Sequence, residues 1–259
     1  MTQKYKKKPA TPNVQLLDSY QLLSYDELDS TNEEAKRLAG KGAHHGAIIW
    51  ARKQTSGKGR MQRSWVSDSG NLFTSILLAP ECDLKTASQL SFVAAVSAID
   101  AIEHLLPHGG ELGCKWPNDI MLNGKKLGCI LLESFKTKAD NTQWIVVGIG
   151  INIDSCPKDV TPQATFLKDA GVEIVSAKIV LSRLIYGFTR NYDLWKRQGF
   201  TPIRRRWLKF AYKLGEPLKV KLPHEKISGI FKDIDQDGAL IVGLDARRKR
   251  TVHTGDVFF

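Results

Sequence analysis

Apolar positions along this chain follow two rhythms, one near 3.6 residues and one of two, and these divide it into elements. Ala87, Leu90, Ala94, Ala98, Ile102 and Leu105 recur at helical spacing, which predicts one long helix over 84–106 laid on a sheet. A second helical pattern covers 176–211, with a break near Gly199 and Pro202. Strands are predicted over 22–28, 46–51, 71–78, 120–122, 126–133 and 144–153, with a hairpin turn at Asn123-Gly124. A short helix opens at Asp29-Ser30-Thr31-Asn32-Glu33-Glu34 and runs to about residue 38, where Gly40 and Gly42 end it. Residues 53–70 are rich in Gly, Ser, Lys and Arg and read as a long loop. Beyond Gly215 the runs 218–222, 230–234 and 240–244 alternate, with Asp235-Gln236-Asp237-Gly238 as a turn, and a small β-barrel is expected. The pattern predicts an α/β (α+β) chain in three parts: a tail over 1–21, a mixed sheet flanked by helices over 22–212, and an all-β module over 213–259.

Composition narrows the class of protein. With 42% hydrophobic and 25% charged residues, a chain of 259 residues is ordinary globular material and not mainly disordered. Thirty-eight basic against 27 acidic side chains leave a net charge of +11, so an anionic partner is expected: nucleic acid, a phosphorylated metabolite or an acidic protein. Cysteines stand only at 82, 114, 129 and 156, with no Cys-x-x-Cys pair, which suits a reducing cytosol and excludes a zinc knuckle. His44-His45 has no second ligand pair and reads as a surface turn. The basic start carries no apolar stretch, and no run approaches the ~20 apolar residues that span a bilayer, so neither secretion nor a membrane is expected.

Five segments carry candidate chemistry. In Gln54-Thr-Ser-Gly57-Lys58-Gly59-Arg60-Met61-Gln62-Arg63-Ser64-Trp65, two glycines let backbone amides approach an anion, three cations surround them and Trp65 offers a stacking surface. The spacing matches neither a P-loop nor Gly-x-Gly-x-x-Gly, and a solvated basic turn is the plainer alternative. Lys115-Trp116-Pro117-Asn118-Asp119 presents a cation, an amide and a carboxylate on a chain stiffened by Pro117, or is simply a turn between strands. In the next strand, alternation places Lys126 and Gly128 on one face with Ile130 and Leu132, with the lysine turned to solvent or into a pocket. In Val147-Gly148-Ile149-Gly150-Ile151-Asn152-Ile153, Gly148, Gly150 and Asn152 share a face and leave a trough, filled by a ligand or by a closely crossing helix. Ser30-x-x-Glu33 and Thr31-x-x-Glu34 both read as capping boxes; alternatively these hydroxyls and Asn32 bind a small polar ligand.

In this order, Asp-Ser-Thr-Asn, Gln-x-x-Gly-x-Gly-Arg, Lys-Trp-Pro-Asn-Asp, Lys-Leu-Gly and Gly-Ile-Gly-Ile-Asn make the chain resemble biotin protein ligases across 22–259. The resemblance implies a catalytic domain like that of class II synthetases followed by an SH3-like β-barrel. It implies activation of biotin by ATP, with Mg2+, to biotinyl-5′-AMP, and transfer of biotin to a lysine of a biotin carboxyl carrier protein. Carried over by motif, Ser30, Thr31, Asn32, Gln54, Lys58, Gly59, Arg60, Lys126, Gly128, Gly148 and Gly150 would bind biotin, and Lys126 and Arg60 would act in catalysis. Gly57, Trp65, Lys115, Asn118, Asp119 and Asn152 would face ATP or the adenylate, and Asp119 would meet the metal. The family loop commonly reads Gly-Arg-Gly-Arg-Arg-Gly-Arg-x-Trp. Here Lys58, Met61 and Gln62 replace Arg, Arg and Gly, and Cys129 stands where Gly is frequent, so a looser hold on the adenylate is expected. Relatives that also act as repressors carry a DNA-binding domain; residues 1–21 are too short for one, and no operator binding is expected. A cytoplasmic monomer or homodimer is anticipated. The competing readings are a lipoate protein ligase and a basic nucleic-acid-binding protein built on an SH3-like module.

Overall fold

The computed structural model describes residues 20–107, 110–137, 141–158, 160–173 and 175–259. The expected tail lies almost wholly outside the described residues. β1 (Gln21–Leu28), α1 (Thr31–Ala39) and β2 (Ala47–Gln54) form a parallel crossover, and β3 (Leu72–Leu78) returns antiparallel to β2. Then follow α2 (Leu84–Ala87), α3 (Leu90–Ile102), β4 (Leu112–Lys115), β5 (Asp119–Leu122), β6 (Lys125–Lys136) and β7 (Gln143–Ile151). The seven strands make one mixed sheet in the order β1-β2-β3-β7-β6-β5-β4. α4 (Ala177–Gln198) and α5 (Thr201–Lys209) complete this part, broken at Gly199 and Phe200, with Pro202 in the first turn of α5, close to where the sequence predicted. β8 (Pro217–Lys221), β9 (Lys226–Ile234), β10 (Leu240–Gly243), β11 (Lys249–Val252) and β12 (Asp256–Phe258) form a second, antiparallel sheet in the order β11-β10-β9-β8-β12.

Each face of the large sheet has its own apolar layer. Ile48, Trp50, Val147, Ile149 and Ile151 pack with α3 and α4 in the main core, which continues through Trp207 and Phe231 into the small sheet. Ile49, Ala51, Leu77 and Val146 pack with Ala35 and Ala39 of α1 on the other face. On β7 the alternation falls as predicted: Gly148 and Gly150 lie on the α1 face, beyond the end of its apolar layer. The two sheets are also tied by polar bonds. Trp116 Nε1 donates to the Gly238 carbonyl at 2.9 Å, and Arg204 Nε donates to the Ile234 carbonyl at 2.7 Å.

Four elements differ from expectation. The helix predicted over 84–106 is interrupted at Ser88 and Gln89. There the Ser88 hydroxyl donates to the Lys85 carbonyl at 2.6 Å, and Gln89 accepts from Trp195 Nε1 at 2.8 Å. The side chains thus compete with the backbone ladder. β4 has only four residues, one of them Gly113, too few to show a period. β11 and β12 are the outer strands of their sheet, and their charged residues hide the alternation.

Candidate active site

The β1–α1 turn is not capped as the sequence suggests. Ser30 occupies the N-cap position, but its hydroxyl makes no capping bond. Glu33 turns to Lys58 (2.8 Å) and Lys36 (3.1 Å), and Glu34 turns to Arg37 (2.7 Å). Gln54 at the end of β2 takes over, its Oε1 accepting from the Thr31 amide at 2.8 Å. The capping boxes are therefore not used. Ser30, Thr31 and Asn32 are instead buried, at 3%, 4% and 3% exposure, against the glycine-bearing face of β7. Gly148 and Gly150 are the centre of two cross-strand rows, Ser75–Gly148–Leu131 and Phe73–Gly150–Cys129. A Cβ on Gly148 would fall 2.3 Å from Asn32 Oδ1, and one on Gly150 would fall 2.7 Å from the indole nitrogen of Trp65. Both the α1 segment and the basic loop thus reach the trough left by the glycines.

The loop after β2 folds back over this trough. Its arms pair at Lys58 and Ser64, Trp65 N–H donates to the Gly57 carbonyl at 2.9 Å, and Gly59 N–H donates to the Arg63 carbonyl at 2.7 Å. Gly57 lines neither chamber described below; a Cβ there would meet Ser67 Oγ at 2.3 Å and the Trp65 carbonyl at 2.4 Å, so it serves the fold of the loop. At the tip, Met61 and Gln62 hold left-handed φ angles of 54° and 58°, and Met61 is 70% exposed. The loop cations are tied on both sides: Lys58 to Glu33 of α1, Arg63 to Asp256 of β12, and Arg60 to the Asn118 side chain and the Gly255 carbonyl, each at 3.4 Å. The tie to Lys58 holds the Glu33 carboxyl below its ordinary range despite partial burial.

Two chambers meet at Trp65 and Cys129. The smaller, about 30 Å³, lies among Ser30, Thr31, Asn32, Gln54, Lys58, Gly148 and Gly150. The larger, about 560 Å³, is lined by Gly59, Arg60, Lys115, Asn118, Asp119, Lys126 and Asn152, with Arg63 and Asp256 at its side. Trp65 Nε1 is buried with no hydrogen-bond partner among the described residues, and Lys126 Nζ lies 5.4 Å from the indole centroid. Lys126 Nζ pairs with Asp119 Oδ1 at 2.7 Å. Burial alone would lower the pKa of this lysine, but the Asp119 carboxylate paired with it holds it above its ordinary value. Burial lowers Lys115 and Arg60 and pushes the Cys129 thiol up to about 12, so Cys129 is an uncharged wall at neutral pH. Asn118 is held by Ile130: its Nδ2 donates to the Ile130 carbonyl at 2.7 Å and its own carbonyl accepts from Ile130 N–H at 2.9 Å. No cluster of three metal-ligating side chains gathers among the described residues.

The predicted face of Lys126 is corrected. Gly128 pairs with Ile120 and Lys126 with Met121, leaving Leu127 as a bulge residue. The bulge shifts the phase, so Lys126 lines the chamber with Cys129 while Ile130 and Leu132 turn to the helix side. Gly128 is brought to neither chamber; a Cβ there would lie 2.5 Å from the Gly150 carbonyl, and its small size serves the approach of β6 to β7. Sequence reasoning missed Ser75 and Glu133, which bond to Asn32 at 2.6 and 2.7 Å. A lone serine within the wholly buried run Leu72–Leu78 was the available signal. His45 is a structural residue, accepting from the Ala79 amide at 3.1 Å.

Residues 25–152 match the biotin/lipoate A/B protein ligase family, and residues 213–259 match the biotin protein ligase C terminal domain. The chain is 38% identical over 237 residues to the biotin–[acetyl-CoA-carboxylase] ligase of Paracoccus denitrificans, covering 89% of this chain and 97% of that one. It is 33% identical over 241 residues to the bifunctional ligase/repressor BirA of Bacillus subtilis, covering 91% of this chain and 73% of that one. Among solved structures, the biotin protein ligase from Aquifex aeolicus in complex with biotin and ATP superposes with a TM-score of 0.77 at 28% identity, covering 92% of this chain and 97% of that one.

Proposed function

Because this chain belongs to the biotin/lipoate A/B protein ligase family, we infer that it is an ATP-dependent biotin protein ligase. It joins biotin to AMP and then passes the biotinyl group to a lysine of a biotin carboxyl carrier protein. The observation that supports this reading is the pair of chambers that meet at Trp65 and Cys129, the smaller one floored by Gly148 and Gly150 and the larger one holding Lys126 beside Trp65. One chamber is small and polar, its lysine, Lys58, paired to Glu33, as suits an uncharged bicyclic ring. The other is large and cationic, as a nucleoside triphosphate requires.

In the first step a carboxylate oxygen of biotin attacks the α-phosphorus of ATP and pyrophosphate leaves. Two anions must approach each other, so positioned cations matter most. Lys126, kept charged by Asp119, is assigned to the reacting carboxylate and α-phosphate; Arg60, Lys115 and the backbone of Gly59 are assigned to the phosphates. Ser30, Thr31, Asn32 and Gln54 take the ring end, and Asn152 closes the nucleotide side. The magnesium ion enters with ATP as part of the substrate and is assigned to Asp119. In the second step the carrier amine attacks the biotinyl carbonyl, AMP leaves, and the amine gives up a proton.

The ring chamber of about 30 Å³ has room for roughly two waters, far below the ~300 Å³ at which ligand pockets begin. Trp65 must therefore shift off Gly150 as biotin enters, and the basic loop moves with it. No helix of the described residues is long and apolar enough to cross a membrane. The need for ATP and a carrier protein is what favours a cytoplasmic enzyme. The lipoate alternative is the weaker one, since the Paracoccus relative and the Aquifex structure are named as biotin ligases and the C-terminal match is to the biotin protein ligase C terminal domain. The test is exchange of labelled pyrophosphate into ATP. Exchange should require biotin, ignore lipoate, and fall at least 100-fold in Lys126→Ala. Exchange driven by lipoate would reject the substrate, and normal exchange in Lys126→Ala would remove that lysine from the chemistry.

A further inference from the structure

Ser75 lies in the middle of β3, fully buried and directly opposite Gly148. Its Oγ is 2.6 Å from Asn32 Oδ1 and 2.7 Å from Thr31 Oγ1. On its far side Asn32 is 2.7 Å from Glu133 Oε2, and Lys36 Nζ is 2.9 Å from the other oxygen of that carboxylate. These contacts contain few protons, and counting them fixes their direction.

A carboxylate only accepts, so the group facing Glu133 must be the amide nitrogen of Asn32, and the amide oxygen must face Ser75. An amide oxygen only accepts, so the single proton of Ser75 goes to Asn32. The 2.7 Å contact between Ser75 and Thr31 then needs the proton of Thr31. Turning that proton to Gln54 Oε1, 3.1 Å away, would leave the Ser75 and Thr31 oxygens 2.7 Å apart with nothing between them, the costlier choice because Gln54 Oε1 already accepts from the Thr31 amide at 2.8 Å. The chain therefore runs from Thr31 to Ser75 to Asn32 to Glu133. Its consequence lies at the open end: with its proton directed inward, Thr31 Oγ1 presents only lone pairs to the chamber.

We propose that Ser75 and Glu133 are positioning residues that point this proton chain inward, so that Thr31 accepts a hydrogen bond from a ring N–H of the substrate. The proposal rests on the reading of this site as a biotin site and deepens it: the ring end is selected as a donor. A site built to receive an N–H rejects an analogue that offers an oxygen there, because two acceptors then face each other. Glu133 has a distinct role. In Glu133→Gln the new amide can donate to Asn32, Asn32 can turn over, and the chain can reverse, leaving Thr31 with its proton outward.

The test measures binding of biotin and of the two ring analogues in which one or the other urea N–H is replaced by oxygen. For one of the two, the wild type should bind biotin ~10–100-fold more tightly than the analogue. The ratio should fall to within about threefold in Ser75→Ala, recover in Ser75→Thr, and fall or invert in Glu133→Gln. A loss of packing would weaken biotin and analogue together and leave the ratio unchanged, which overturns the proposal. Should Ser75→Ala fail to fold, Glu133→Gln decides alone, since that side chain is partly exposed. A wild type that binds no biotin would overturn the functional reading and this proposal with it. A wild type that binds biotin with an unaltered ratio in all variants would overturn the proton chain only.

Discussion

Gly148 is the position where adding one carbon asks most of the site. The new Cβ of Gly148→Ala would lie 2.3 Å from Asn32 Oδ1 and 3.0 Å from its Cγ and Nδ2, too close by about 1 Å for the nearest atom. Asn32 cannot yield freely. It stands in the first turn of α1, is 3% exposed, and is held at 2.6 Å by Ser75 and at 2.7 Å by Glu133. Displacing it gives up one neutral hydrogen bond, about 0.5–1.5 kcal/mol, and one to a charged group, about 1.5–3 kcal/mol. The total, roughly 2–4 kcal/mol, is divided between folding and biotin affinity. If half falls on affinity, biotin binds ~5–30-fold more weakly. Gly150→Ala provides the contrast. Its Cβ meets the Trp65 indole at 2.7 Å, but Trp65 rides on a loop that the entry of biotin displaces in any case. Calorimetric titration with biotin, paired with thermal melts, separates the two. Gly148→Ala should lose affinity and melt earlier, whereas Gly150→Ala should keep its melting temperature within about 2 °C. A Gly148→Ala protein that binds biotin as the wild type does would refute the claim that this glycine holds Asn32 in place.

Gln62 holds a φ of 58° that glycine adopts without strain, so in Gln62→Gly the relief of about 1 kcal/mol offsets the added freedom of the unfolded chain. Its melting temperature should stay near wild type while Ser64→Gly, at a position without positive φ, melts ~1–3 °C lower; equal losses would show the loop is unstrained. Glu33 titrates below its ordinary 4.5 because Lys58 and Lys36 bind its charged form. The tie from loop to α1 is therefore complete above that value and is lost as the pH falls through the lower, folded pKa. A carbon-13 titration of the Glu33 carboxyl should show its midpoint rise part-way to 4.5 in Lys58→Met, and no rise would mean that the ion pair does not form in solution. Biotin should change tryptophan fluorescence in the wild type and not in Trp65→Phe, and an equal change in both would place Trp65 outside the path of the ligand.

Much of the frame was legible because burial repeats with the period of each element. The glycine floor was readable for the same reason: Val147, Ile149 and Ile151 mark one face of β7 so clearly that Gly148 and Gly150 can only be on the other. Lys126 shows where this logic stops. A single bulge at Leu127 reverses its face, and nothing in a period-two pattern marks an inserted residue. The capping boxes failed for a different reason. Ser30 and Glu33 are good local partners, but Lys58, 25 positions away, takes the Glu33 carboxylate while the neighbouring Asp29 takes the Ser30 amide. Ser75 was hidden by distance too, since the partners that give it meaning lie 43 and 44 residues away. Local chemistry along the chain is thus visible in advance where neighbours decide it, and invisible where the sheet brings in partners from elsewhere.

Whether this site builds a biotinyl adenylate and hands it to a carrier lysine is decided by the intact mass of a biotin carboxyl carrier domain incubated with the protein, biotin and MgATP. The carrier should gain one biotinyl group on one lysine, in a reaction that requires ATP and is absent when Lys126→Ala replaces the wild type. An unmodified carrier in the presence of all components, or a carrier that gains a lipoyl group instead when lipoate is supplied, would contradict the reading of this chain as a biotin ligase.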